Sequence, residues 1–276
     1  MNINELKSLL SHYHIRPDKS MGQNFLLSET ALDEMIAAAE LSEKDTVLEI
    51  GPGLGVLTRR LAEKAGLVIA VEKDRKMAAA LRKMFKNRKN VKIINEDALF
   101  LDILRITNQY EFTKYKVVAN IPYYITGKLL QSALGGLTKP SLIVLLLQRE
   151  VAERITAGPG EMSLLSVSVQ FYADAEIISY VGKENFYPKP EVDSAVVRLR
   201  VLEKPRLPVP EKQFFQLVKI GFSNKRKQLQ NNLKGYNGGK GSKGVLEDIG
   251  LNPLCRAQDL SLEDWRKLYE RITTAG

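Results

Sequence analysis

From residue 46 onward, short apolar runs alternate with stretches in which apolar positions recur every three to four residues. The runs at 46–50, 67–71, 91–95, 116–119 and 141–147 are short and mostly apolar, as strands buried in a sheet are. Between them, residues 56–65, 74–87, 99–107 and 127–136 carry the spacing of amphipathic helices. Such alternation predicts a parallel sheet with helices on both faces. Two further strands, 175–181 and 195–201, are joined by the proline-marked Phe186-Tyr187-Pro188-Lys189-Pro190. The second of them is expected to run antiparallel at the sheet's end. Ahead of the sheet, residues 1–16 read as a helix with Leu6, Leu9 and Leu10 on one face, followed by a polar connector at 17–24. Ser28 is a good N-cap for a helix over 29–40, whose first turns hold Glu29, Asp33 and Glu34.

Residues 203–210 hold three prolines in eight positions and read as a linker. Beyond it, helical periodicity dominates at 211–222, 225–234 and 261–273, while the glycine-rich 235–244 reads as a mobile loop. The expected fold is therefore α/β: a Rossmann-like sheet with helices on both faces over 1–202, then a small C-terminal all-α domain over 211–276. Charge sharpens this division. The chain carries 41 Lys+Arg against 32 Asp+Glu, a net charge of +9, and the tail from 203 onward holds 14 of those cations against 8 acids. An excess of this size suits a polyanionic partner, nucleic acid or anionic membrane, or a solvated basic surface with no special partner. No apolar run approaches the ~20 residues of a membrane span, and the N-terminus lacks a signal-peptide core. The single cysteine, Cys255, excludes an internal disulfide and fits a reducing cytoplasm. With one cysteine, His12 and His14 cannot complete a zinc site.

The chemistry lies at the strand ends. Glu49-Ile50-Gly51-Pro52-Gly53-Leu54-Gly55 follows the first strand of the alternating set and precedes a helix. Glycines at alternate positions allow a tight turn and close approach of a ligand to backbone at Gly51 and Gly53. The spacing is G-x-G-x-G after an acid, not the dinucleotide G-x-G-x-x-G. The next strand ends in Glu72, placed to accept hydrogen bonds from both hydroxyls of a ribose. One strand later comes Asp97, followed by Ala98, where a carboxylate can accept from an adenine amino group. Ligands of open α/β sheets sit outside the carboxyl ends of the strands. Three successive strand ends thus describe a site for an adenosine-bearing cofactor.

The fourth strand end is Asn120-Ile121-Pro122-Tyr123-Tyr124. Asn120 offers a side-chain carbonyl, and a turn at Pro122 can aim the main-chain carbonyl of Ile121 at nearly the same point. Two converging acceptors suit an exocyclic amine with two N–H donors. Tyr123 supplies a stacking face, worth ~1–3 kcal/mol per base. A neutral amine needs an electrophile, and an adenosine-bearing electrophile without a metal suggests S-adenosylmethionine. The acceptors strengthen their hold as positive charge develops on nitrogen. No general base is needed, because the attached proton becomes acidic as the bond forms.

With these residues in view, the chain resembles the ribosomal RNA adenine dimethyltransferase family, and most closely its small-subunit branch. The likeness runs through Lys19-Ser20-Met21-Gly22-Gln23-Asn24-Phe25-Leu26, the 49–55 loop, Val71-Glu72-Lys73-Asp74, Glu96-Asp97-Ala98, 120–126, Leu147-Gln148-Arg149-Glu150-Val151-Ala152, and Phe186-Tyr187-Pro188-Lys189-Pro190-Glu191-Val192-Asp193-Ser194-Ala195. The G-x-G-x-G loop is common to many methyltransferases, whereas the other motifs in this order are specific. The resemblance implies a class I S-adenosylmethionine-dependent methyltransferase sheet, with Asn24 and Leu26 closing over the cofactor. It also implies cofactor contacts from Gly51, Glu72, Asp97 and Asn120, and Phe186 stacked on the target base opposite Tyr123. From the residues alone, Phe186-Tyr187-Pro188 reads as a structural turn.

The substrate implied is a pair of adjacent adenines near the 3′ end of 16S rRNA, within the small ribosomal subunit or its precursor. Each would be dimethylated at N6 by a monomeric cytoplasmic enzyme without a metal. Phe222-Ser223-Asn224-Lys225-Arg226-Lys227-Gln228-Leu229 resembles the family's basic helix start, with Lys225 in place of an arginine, and marks Lys225, Arg226 and Lys227 as RNA contacts. A second cationic stretch, Lys73 to Lys92, holds nine Lys+Arg against Asp74, and its simpler account is a solvated helix face. Two other readings compete: a 23S rRNA adenine methyltransferase of the antibiotic-resistance type, and an assembly factor that acts mainly by binding. Gly51-Pro52-Gly53 and Val192-Asp193-Ser194-Ala195-Val196 favour the small-subunit branch. An intact 120–123 motif argues against pure binding.

Overall fold

A computed structural model describes residues 2–17, 22–234 and 242–274. The chain divides into two compact units, 1–152 with 175–201, and 153–174 with 202–276.

The first unit opens with α1 (Ile3–His12), capped by Asn2, whose side chain accepts from the N–H groups of Asn4 and Glu5. Its buried Leu6 and Leu10 pack with Phe25, Leu54 and Met77. Next come the two-residue strand β1 (Phe25–Leu26) and α2 (Glu29–Ala39), with Ser28 Oγ accepting from the Ala31 N–H at 3.2 Å. The main sheet is built from β2 (Thr46–Ile50), β3 (Leu67–Val71), β4 (Val91–Ile94), β5 (Lys116–Asn120), β6 (Leu142–Gln148), β7 (Ala173–Val181) and β9 (Ser194–Val201). The remaining strand, β8 (Phe186–Tyr187), pairs antiparallel with β1 in a small second sheet.

Strand order in the main sheet is β4-β3-β2-β5-β6-β9-β7. Parallel pairing joins β2 to β3, β3 to β4, β2 to β5 and β5 to β6. The chain therefore walks outward from β2 to β4, then returns to lay β5 on the other side of β2. That reversal is the switch point at which such sheets bind ligands. The crossovers are α3 (Val56–Ala62), α4 (Arg75–Met84), α5 (Ile103–Tyr110) and α6 (Thr126–Gly135). α5 starts later than the periodicity predicts: a 3-10 turn at Ala98–Phe100 intervenes, and Asp102 caps the helix.

β9 runs antiparallel to β6 from Leu142↔Arg200 to Gln148↔Ser194. It does not lie at the sheet's end as expected; it is inserted between β6 and β7. The side chains explain this. β9 opens with a continuous buried run, Ser194 to Val197, as an interior strand does, whereas β7 alternates and exposes Asp174, as an edge strand can.

After α7 (Arg149–Thr156), the second unit gathers α8 (Leu164–Gln170), α9 (Glu211–Gly221), α10 (Leu229–Asn232), α11 (Ser242–Asp248) and α12 (Leu262–Thr273). Its core holds fully buried Phe214 and Trp265. Phe171 stacks on Phe214 with centroids 5.3 Å apart and meets Phe215 edge-on at 5.0 Å. These rings place 153–174 with the C-terminal helices, a grouping that the expected boundary at 203–210 does not include. The helix expected over 225–234 shortens to α10, because Asn224 folds the preceding residues into a turn. Its side chain accepts from Arg226 N–H, and its main-chain carbonyl from Lys227 N–H, each at 3.2 Å. The glycine-rich 235–244 lies mostly outside the described residues, and its last three open α11. Among the described residues, no helix is long and apolar enough to cross a membrane.

Candidate active site

A cleft opens at the carboxyl ends of β2, β3, β4 and β5, lined by the loops that follow each strand and by residues 22–25. All four strand ends singled out in the sequence meet there. Gly51, Gly53, Glu72, Asp97, Ala98, Asn120, Ile121, Pro122 and Tyr123 line it, together with Asn24.

The glycine loop leaves β2 with φ of 66° at Gly51 and 58° at Gly53, the left-handed region that side chains disfavour. A Cβ at Gly53 would stand 3.0 Å from the Phe25 ring, and one at Gly51 3.6 Å from Pro122 Cδ. Glu72, at the end of β3, fastens this loop. Its Oε2 accepts from Gly53 N–H at 3.2 Å, and its Oε1 from Asp74 N–H at 2.8 Å. Each oxygen keeps a second lone pair, so the carboxylate has room for the two hydroxyls of a ribose. Glu72 is only 6% exposed, and burial raises its pKa above the ordinary value against the pull of those N–H donors. Asp97 has the opposite environment. Leu99 N–H donates to its Oδ1 at 3.0 Å and Lys73 Nζ stands 3.0 Å from its Oδ2, lowering its pKa.

Deeper in the loop, Glu49 is wholly buried, and its Oε2 has no hydrogen-bond partner among the described residues. Burial first, and the nearby Glu72 charge in addition, push its pKa up to about 8. It enters this region as a neutral acid at pH 7.

Asn120 ends β5 with its amide fixed. Its Nδ2 donates to the main-chain carbonyl of Asn24 at 3.1 Å, which leaves Oδ1 as an acceptor with no partner among the described residues. Asn24 is itself held, donating from Nδ2 to the Gly22 carbonyl at 3.3 Å. The 3-10 turn at Tyr123–Ile125 follows Pro122, whose carbonyl accepts from Ile125 N–H at 3.2 Å. Tyr123 is half-buried, and its hydroxyl lies 2.8 Å from the Oγ of fully buried Ser194 on β9. Tyr124 is 60% exposed at the rim.

Two expected site residues sit elsewhere. Leu26 is 4% exposed and Phe186 3%; both belong to the hydrophobic core, paired across the β1–β8 sheet. Any contact of Leu26 with a cofactor falls to its main chain. Phe186 lies in strand β8 rather than in the structural turn read from the residues, and its ring is packed in the core. Stacking on a base needs one ring face uncovered, which the core packing does not leave. Lys225, Arg226 and Lys227 are exposed in the turn between α9 and α10 of the second unit.

Sequence reasoning missed three residues. Ser194 lay inside a quoted motif, but nothing local marks it as a partner of Tyr123. Gln23 donates to Met77 Sδ at 3.9 Å, and both line the cleft; Met77 reads simply as an apolar helix position.

Residues 16–274 match the family described as ribosomal RNA adenine dimethylase. The chain is 42% identical over 267 residues to a protein of Dehalococcoides mccartyi named ribosomal RNA small subunit methyltransferase A, covering 96% of this chain and 91% of that one. A protein of the same name from Rippkaea orientalis is 45% identical over 272 residues, covering 95% and 99%. Among solved structures, a dimethyladenosine transferase from Plasmodium falciparum superposes with a TM-score of 0.77 at 28% identity, covering 91% of this chain and 98% of that one. The 23S rRNA methyltransferase ErmE gives 0.74 at 27%, covering 90% and 99%.

Proposed function

Because the chain belongs to the ribosomal RNA adenine dimethylase family, we propose that it methylates the N6 amines of two adjacent adenines near the 3′ end of 16S rRNA. The product is N6,N6-dimethyladenine, formed on the small ribosomal subunit or its precursor in the cytoplasm, by a monomer. The observation that carries this reading is the fixed amide of Asn120, whose Oδ1 has no donor among the described residues while its Nδ2 donates to the Asn24 carbonyl.

The cleft fits S-adenosylmethionine. The glycine loop lies so close to Phe25 that a side chain at Gly53 would crowd its ring, Glu72 retains acceptor capacity for a ribose, and Asp97 stands ready for an adenine amino group. When bound, this cofactor supplies a methyl group on a sulfonium, an electrophile that a neutral amine can attack. The protein's part is positioning and electrostatics. Asn120 Oδ1, with the Ile121 carbonyl, accepts from the two N–H groups of the target amine and favours a more tetrahedral nitrogen. These dipoles are set before reaction and gain strength as charge develops. Tyr123, held by Ser194, offers its ring to the base, and alignment supplies the rest. The proton leaves an ammonium-like nitrogen, so no histidine is required. Lys225, Arg226 and Lys227 bind backbone phosphates of the RNA, without reading sequence.

The resistance-type reading finds support in the close TM-scores of the two solved structures. The relatives with more than 40% identity carry the small-subunit name and favour the first reading. Purified small and large subunits lacking adenine dimethylation, incubated with methyl-labelled S-adenosylmethionine, decide between them. Label mapped to dimethyladenine near the 3′ end of small-subunit RNA is expected. Label on the large subunit would instead support the rival, and tight small-subunit binding without label would make assembly the main function.

A further inference from the structure

A second cleft of the first unit lies beside the cofactor site. Two segments far apart in sequence line it: His14 and Arg16 after α1, and Lys73, Asp74, Arg75 and Lys76 where β3 turns into α4. His14 adopts φ of 53°, a left-handed turn after α1 that redirects the chain toward this face. The lining carries four cations, Arg16, Lys73, Arg75 and Lys76, against the single carboxylate of Asp74; of the four, Lys73 is also paired with Asp97 at 3.0 Å. The Asp74 carboxylate is already committed as the cap of α4, accepting from Lys76 N–H at 2.7 Å and Met77 N–H at 3.0 Å.

Elsewhere in this unit arginines close onto acids: Arg60 onto Glu29, Arg105 onto Glu96, and Arg198 onto Glu40 and Glu176. Arg16, Arg75 and Lys76 are exposed and form no ion pair with any described residue. Like charges gathered without counter-charge repel one another, and a polyanion relieves that repulsion. Lys73 lines both clefts, so an anion here lies at the border of the cofactor cleft.

We propose that this cleft is a phosphate-binding site for the RNA strand whose adenine enters the cofactor cleft, holding backbone phosphates that flank the target. The proposal rests on the methyltransferase reading for which strand is bound. It departs from the solvated-face account of the Lys73–Lys92 stretch at that stretch's first turn only. The phosphates position the strand and carry no sequence information, which suits a site built from flexible cations.

The test uses the full-length triple variant Arg16→Gln, Arg75→Gln, Lys76→Gln, with Lys73 left intact because it also borders the cofactor. A control variant removes three exposed cations of the same unit outside the cleft: Arg59→Gln, Arg82→Gln, Arg88→Gln. Binding to unmethylated small subunits is measured from low to moderate salt, with S-adenosylmethionine affinity by calorimetry alongside. Each lost phosphate contact lowers the slope of log K against log salt by about 0.7 to 0.9. The cleft variant is expected to lose about two such contacts and to raise KM for the subunit severalfold, with kcat and cofactor affinity near wild type. An equal loss in the control would reduce the effect to overall charge and overturn the proposal, as would an unchanged slope in the cleft variant. If wild-type protein methylates the subunit while the cleft variant keeps its salt slope, only the phosphate site fails. If wild type transfers no methyl group, yet the slope depends on the cleft, the phosphate site stands and the catalytic reading fails.

Discussion

Replacing Glu72 by glutamine isolates one carboxylate that does two jobs. In the structure its oxygens receive Gly53 N–H and Asp74 N–H, and their remaining lone pairs are available to a ribose. Glutamine keeps one carbonyl oxygen but turns an NH2 group toward one of those two N–H donors. Donor then faces donor in a nearly closed space, and one ribose hydroxyl loses its acceptor. A hydrogen bond to a charged group contributes about 1.5–3 kcal/mol. At about 1.4 kcal/mol per factor of ten, losing one such bond to the cofactor weakens its Kd roughly 10- to 150-fold. Calorimetry with S-adenosylmethionine, and with its demethylated product, measures this directly, and a thermal melt of the free protein separates it from loop disorder.

The pH dependence adds a second, independent readout. Burial raises the Glu72 pKa, and ribose hydroxyls bind the ionised form. Wild-type affinity is therefore complete above that raised pKa and declines as pH falls through it, whereas the glutamine variant follows no such decline. A Kd within twofold of wild type, with the same pH profile, would remove Glu72 from the cofactor site.

Three further expectations follow from the same geometry. Asn120→Ala removes a preorganised dipole, so single-turnover methylation should fall about 10²- to 10³-fold with cofactor Kd little changed; lost cofactor binding with normal chemistry would reverse that assignment. Tyr123→Phe and Ser194→Ala each break the same 2.8 Å contact, at about 0.5–1.5 kcal/mol. The double variant should be no slower than the worse single one, and additive losses in kcat/KM would show that Ser194 does not act through Tyr123. Glu49 is raised from 4.5 to about 8 by burial, so between those values the folded state holds a proton that the unfolded chain has released. Its contribution to stability is present at low pH and lost as pH rises across that window. Glu49→Gln should flatten that slope in melts at pH 5, 7 and 9; an identical slope in both proteins would mean that Glu49 is ionised when folded.

Much of this protein is legible in one dimension, because burial leaves a period in the sequence. Apolar runs mark β2, β3, β5 and β6 as interior strands and β4 as their neighbour at the sheet's edge, and the residue at each strand end follows directly, so the sheet delivers Gly51, Glu72, Asp97 and Asn120 to one edge without further information. Tertiary structure decided which distant groups meet. Asn120 finds the Asn24 carbonyl 96 residues away, and Tyr123 finds Ser194 71 residues away; no local pattern encodes either pairing. The same is true of Leu26 and Phe186, whose pairing across β1 and β8 puts both side chains in the core. Phe171 likewise carries residues 153–174 to the C-terminal helices by stacking on Phe214. The sequence shows cations only as runs, whereas the fold brings Arg16 beside Arg75 and Lys76 in one cleft. Local sequence specifies which face of an element is buried. Which buried faces then pack together, and which polar groups meet where they do, is settled by three-dimensional packing over separations that no short-range period can span.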